Sequence, residues 1–326
     1  MKKLMTFVMT IALALGLTAC GDAKSEAMTE TITIQALNAG GEVVDVAVSR
    51  DPQRIAVLDM AALDILDVLG LGERIVGSAK VTIEYLSQYN PDDSDGSIMN
   101  LGTVKTADLE QVAACEPDII FIGGRLSSVY EDLSAIAPVV YLAVDYEKGV
   151  VESTRSNART IASIFGREED VADLFANVQP RIDALREILE GRNVLLGMYN
   201  ANALGLMDTA SQLNIIAREL GANNLGESVG ESQKATHGEE ASWETIITLN
   251  PEYLFILDRS TATEAADQGV MGVREVIEND LIRQLDVYQN DRIVYFIDHA
   301  NVWYTATGGI QALNTMLTDL ESALIN

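Results

Sequence analysis

Histidine and cysteine are nearly missing from this 326-residue chain, which holds two of each. With only His237 and His299, a site for a free divalent cation is a poor expectation, because such sites gather imidazoles and carboxylates. Positive charge is also scarce: 22 Lys and Arg stand against 49 Asp and Glu, for a formal charge of −27. That balance argues against nucleic acid and against anionic membrane surfaces as partners. Solubility at a crowded cell surface is the simplest use of the acid excess, and any placed arginine becomes easier to notice. Signatures of catalysis are missing too. No G-x-G-x-x-G follows the first strand, and there is no P-loop, nucleophile elbow or paired-histidine zinc motif. What is present is 48% hydrophobic residues, ample for a packed core, over a length that suits two domains.

The first twenty residues, "MKKLMTFVMTIALALGLTAC", combine two lysines, an apolar run from Leu4 to Leu17 and small residues before Cys20. This reads as a secretory signal, and the run is too short for a comfortable membrane span. Leu17-Thr18-Ala19-Cys20 resembles a bacterial lipobox. The resemblance implies cleavage before Cys20 and acylation of its thiol, hence a lipid anchor on the extracytoplasmic face of the membrane. The mature charge would be −29, since Lys2 and Lys3 leave and no acid does. Residues 22–30, "DAKSEAMTE", suit a flexible acidic tether. With Cys20 acylated no disulfide can form, and Cys115 in "QVAACEPD" reads as a small core residue.

The body of the chain reads as α/β. "ETITIQALNAGGEVVDVAV" predicts a hairpin with a Gly-Gly turn. Short apolar strands such as "QRIAVLD", "DIIFIG", "VVYLAV", "NVLLGMY", "YLFILD" and "RIVYFID" then alternate with helical spacing, which predicts parallel sheets covered by helices. In such sheets ligands bind beyond the carboxyl ends of the strands. Two segments share a register. "LEQVAACEPDIIFIGGR" and "WETIITLNPEYLFILDR" align without a gap at an offset of 134, pairing Glu110 with Glu244, Pro117 with Pro251 and Arg125 with Arg259. The chain therefore reads as two similar lobes. From Val151 to Phe165 one helical pattern runs to Gly166, and a second helix is expected to follow to Leu189. A single helical crossing implies a stiff hinge. The expected division is a signal (1–19), a lipidated tether (20–30), a first lobe (31–150), a linking helix (151–166) and a second lobe (167–326).

Four stretches, "NLGTVKTADLEQVAACEPDIIFIGGR", "THGEEAS", "YLFILDR" and "VWYTATGG", resemble the helix-linked solute-binding lipoproteins of iron-chelate and vitamin B12 importers, within them the catecholate-siderophore binders. The resemblance spans Gln53 to Asn326. It implies two lobes with mainly parallel sheets joined by one long helix, and a monomer that captures a ferric siderophore and delivers it to the permease subunits of an ABC importer. No intrinsic cofactor is implied, since the ferric ion comes within the ligand. The implied ligand contacts are Arg125, Arg259, His237, Tyr304 and Gln212, with Trp303 as a ring able to stack on a catechol. Gln212 stands where such relatives carry a third arginine. His237 and Tyr304 are the implied iron ligands, and Glu110 and Glu244 the implied transporter contacts. The residue chemistry agrees: an arginine from each lobe can clamp an anion, and ferric ion favours anionic oxygen. Another iron chelate, haem or a corrinoid remains open as ligand, with an enzyme on the same scaffold further off.

Overall fold

The structure is a computed structural model, and it describes residues 30–228, 239–240, 242–263 and 270–325. Cys20 and His237 lie outside the described residues. Among the described residues no helix is long and apolar enough to cross a membrane.

The chain opens on an antiparallel hairpin, β1 (Thr31–Leu37) and β2 (Val43–Ser49). Its turn is set by Asn38, whose side chain accepts the N–H groups of Gly40 and Glu42, and by Gly41 at φ 78°. The first lobe is then built on five parallel strands: β3 (Ile55–Leu58), β4 (Ile75–Ser78), β5 (Met99–Asn100), β8 (Ile119–Ile122) and β9 (Val139–Tyr141), in the order β5-β4-β3-β8-β9. A small hairpin, β6 (Gly102–Thr103) and β7 (Thr106–Ala107), stands beside it. Helices α1 (Met60–Val68), α2 (Leu109–Ala114) and α3 (Tyr130–Ser134) connect the strands. β3 and β8 are buried along their whole length, which is why both read as unbroken apolar runs.

Helix α4 (Val150–Ile164) carries the chain to the second lobe and stops at Gly166, φ 65°. The single helix expected up to Leu189 is two, α5 (Asp170–Leu174) and α6 (Val178–Leu189), divided at Phe175–Asn177. Phe175 is buried there, so packing fixes the break although the apolar spacing runs through it. The second sheet has β10 (Asn193–Asn200) at its centre. It runs parallel to β12 (Asn223–Asn224) and β14 (Tyr253–Asp258), and β14 pairs in parallel with β15 (Ile293–Phe296). β11 (Ala203–Leu206) and β13 (Glu239–Glu240) add an antiparallel edge. The helices of this lobe are α7 (Asn214–Arg218), α8 (Trp243–Leu249), α9 (Arg259–Ala262), α10 (Val273–Ile277), α11 (Asp286–Gln289), α12 (Ala300–Thr305) and α13 (Ile310–Leu324).

Two features position the site. The repeated segments fold alike: α2 and α8 are capped by Asp108 and Ser242, again 134 apart, and place Glu110 and Glu244 in the first turn, both exposed. In both lobes the turn from helix to strand sits at the edge of the sheet where the parallel strands begin. Past α2, the Glu116 carbonyl accepts from Arg54 Nε (2.8 Å) just ahead of β3. Past α8, Glu252 pairs with Arg192 (2.8 Å) just ahead of β10. Secondly, the C-terminal helix returns to the first lobe. α13 packs on α1 and α4, and the buried Asp64 of α1 accepts the N–H groups of Gln311 and Ala312 (both 2.9 Å) at its start.

Candidate functional site

In the first sheet β3 leads outward to β4 and β5 on one side, while β8 and β9 lie on the other. The order reverses between β3 and β8, and the crevice beyond their carboxyl ends is where this class of sheet binds ligands. Asp59 follows β3 there, and Gly123-Gly124-Arg125 follow β8. The second sheet reverses between β10 and β14. Asn200 ends β10, and Arg259 follows β14.

Between the lobes lies an open cavity of about 220 Å³. Arg125, Asp59, Tyr146 and Asn157 line it from the first lobe and the linking helix, and Gln212 and Tyr304 from the second. Tyr304 is 4% exposed and sits between two guanidinium groups, one from each lobe. Arg125 lies over its ring at 4.7 Å from the centroid; Arg259 lies at 5.4 Å and donates from Nε to the phenol oxygen (2.9 Å). The Arg259 Nη1 is taken by Asn200 Oδ1.

Of the residues singled out in the sequence, Arg125, Gln212 and Tyr304 come together at the cavity. Arg259, expected to touch ligand directly, is absent from the described lining; its Nε and Nη1 donate to Tyr304 and Asn200, so it braces the tyrosine. Trp303 corrects the expectation of a stacking ring. It is fully buried, its indole stacks on Phe296 (4.1 Å) and its Nε1 donates to Asp319 Oδ2 (2.8 Å). Neighbouring helical residues point about 100° apart, so Tyr304 can face the cavity only if Trp303 faces the core.

Sequence reasoning passed over Asp59 and Tyr146. Asp59 is the N-cap of α1: its Oδ1 accepts the Ala62 N–H (2.8 Å). Burial pushes its carboxyl up to about 6, against the pull of the Ala62 and Ala61 N–H groups and of Arg125. Burial likewise pushes the Tyr146 phenol up to about 12, with Arg125 pulling the other way. The available signal for Asp59 was its place directly after a buried strand in "QRIAVLD".

Known proteins resemble this chain in sequence and fold. The petrobactin-binding protein YclQ of Bacillus subtilis is 31% identical over 333 residues, 99% of each chain, and its crystal structure superposes with a TM-score of 0.79 at 30% identity, covering 91% of this chain and 99% of that one. The ferric-anguibactin-binding protein FatB of Vibrio anguillarum is 27% identical, over 84% of this chain and 83% of its own. The crystal structure of the catecholate-siderophore binding protein VctP of Vibrio cholerae matches with a TM-score of 0.76 at 28% identity, covering 90% of this chain and all of that one. The sequence profile described as periplasmic binding protein matches residues 55–299, most of the chain, and the protein belongs to that family.

Proposed function

We propose that this protein captures a ferric siderophore of catecholate type and delivers it to the permease subunits of an ABC importer. The observation that carries the reading is Tyr304, held between Arg125 of one lobe and Arg259 of the other at the wall of an interlobe cavity. The arrangement recruits both lobes around one phenol oxygen and one free guanidinium, the groups that a hard ferric ion and its anionic oxygen donors call for. Likeness to YclQ across 99% of both chains, and to two further siderophore binders, supports the same role. It is a binding role: iron arrives and leaves within the ligand. Tyr304 and His237 supply ferric coordination where the siderophore leaves positions open, and Gln212 completes the wall without adding charge.

In this reading Cys20 carries the lipid that holds the protein at the extracytoplasmic face, and the mature chain acts as a monomer. Glu110 and Glu244, one exposed at the start of the matching helix in each lobe, meet the permease subunits.

Fluorescence-quenching titration against a panel of ferric siderophores tests the function. Saturable binding of ferric catecholates, with weaker or no response to haem, cobalamin and the iron-free siderophores, is the expected result. Saturation by a corrinoid or haem and silence with every ferric siderophore would overturn it.

A further inference from the structure

The described lining of the cavity contains one cation, Arg125, and one carboxylate, Asp59. A cleft built only to hold an anion has no use for the second. Asp59 is partly buried, yet it reaches the cavity wall and forms no ion pair with a described Lys or Arg. Its Oδ1 serves the start of α1. Its Oδ2 packs against Gly123, where a Cβ would come within 2.4 Å, so glycine is needed to admit the carboxyl at this depth. Among the described residues no side chain hydrogen-bonds Oδ2 and no Lys or Arg forms an ion pair with Asp59. The nearest candidate, Arg125, directs its guanidinium over the Tyr304 ring instead. On the opposite wall Gln212 is polar and uncharged. The cavity thus presents a positive point at Arg125 and, at the end of the neighbouring strand, a negative point that Arg125 attracts without pairing it, so a cation on the ligand can still take it as a partner.

From this geometry we infer that Asp59 is a specificity-determining residue that selects ferric chelates bearing a protonated amine near their anionic iron centre. The inference rests on the siderophore reading above and adds the charge pattern of the ligand to it. A chelate with oxygen anions at one end and an ammonium group on its linker satisfies Arg125 and Asp59 together. A chelate of the same shape without the ammonium leaves a buried carboxylate facing an apolar or anionic surface, a desolvation cost without return.

The test uses two synthetic ferric bis-catecholamides that differ only at the linker nitrogen: a secondary amine, protonated at neutral pH, and its N-acetyl form. Both are titrated by fluorescence quenching against the wild type, Asp59→Asn and Asp59→Ser. Asparagine and serine both cap helices well, so α1 keeps its first turn, and a thermal melt checks that it does. The wild type is expected to favour the amine form about tenfold. Both variants should bind the two forms alike, through weaker binding of the amine form and tighter binding of the acetylated one. A preference that persists in both variants, or no preference in the wild type, overturns the role of Asp59 while leaving the siderophore reading intact. Failure of the wild type to bind either chelate or any ferric siderophore overturns both.

Discussion

Replacing Asp64 by alanine separates what a buried carboxyl contributes by hydrogen bonding from what its charge costs. Asp64 is fully buried, and three donors converge on it: the Gln311 and Ala312 N–H groups (2.9 Å each) and the Tyr85 hydroxyl (2.7 Å). Between neutral partners three such bonds are together worth about 3 kcal/mol. Burial nevertheless raises the carboxyl from its ordinary 3.8 to about 6, despite these three donors and the pull of the Ile310 N–H. Each unit corresponds to about 1.4 kcal/mol, so ionising Asp64 in the fold at neutral pH takes back roughly 3 kcal/mol. The sign follows. Between about pH 4 and 6 the folded protein holds a proton that the unfolded chain has released, so this group's contribution to stability falls as pH rises through that window. Asp64→Ala should therefore cost about 3 kcal/mol near pH 4 and roughly 1 kcal/mol or less near pH 7.5. Urea unfolding of wild type and variant at both pH values, each under reversible conditions, gives the two differences. A larger loss at neutral pH than in acid would refute the reasoning, because it would mean that the three donors outweigh burial and hold the carboxyl ionised.

Two further predictions concern the binding role. Tyr304→Phe and His237→Ala should each weaken a ferric complex with a four-donor catecholate ~10- to 100-fold, since open coordination positions then lose a protein ligand, and should affect a six-donor complex much less. Circular dichroism in the charge-transfer band follows both, and equal losses for the two ligand kinds would mean that the side chains only line the cleft. Reversing Glu110 and Glu244 to lysine together should abolish cellular iron uptake with affinity in solution changed less than about twofold, the helices losing only a few tenths of a kcal/mol each at their dipole ends. Normal uptake by the double variant would remove their docking role.

The residues legible in the sequence are those whose signal is local or repeated. Arg125 and Arg259 stand out because strand, turn and arginine recur at one offset, and the structure adds Asp108 and Ser242, the caps of the preceding helices, to the same register. Buried strands such as β8 announce themselves by composition. What stayed hidden depends on partners far along the chain. Trp303 and Tyr304 are adjacent and both aromatic, and only the core contributed by Phe296 and Asp319 decides which one turns inward. Arg259 could reach either a ligand or Tyr304, and that choice is set by where α12 packs on α9. Asp59 looks like any helix cap until β8 delivers Gly123 beside it. The return of α13 to α1 joins residues 247 and 248 positions apart through one aspartate, a pairing no periodicity encodes.

The matched glutamates at the starts of α2 and α8 have a consequence for traffic. In each lobe an exposed glutamate opens the helix and an arginine follows the strand to which that helix leads, Glu110 and Arg125 in one and Glu244 and Arg259 in the other. Under the docking proposed above, a permease that seats on both helix starts at once spans the two lobes, and if it does so over the cleft it also roofs it. The cargo can then leave only into whatever forms the roof, and the route back to the medium is shut by the same contact that recognises the carrier. Direction of travel would need no gate of its own: it would follow from having the handle and the opening on one side.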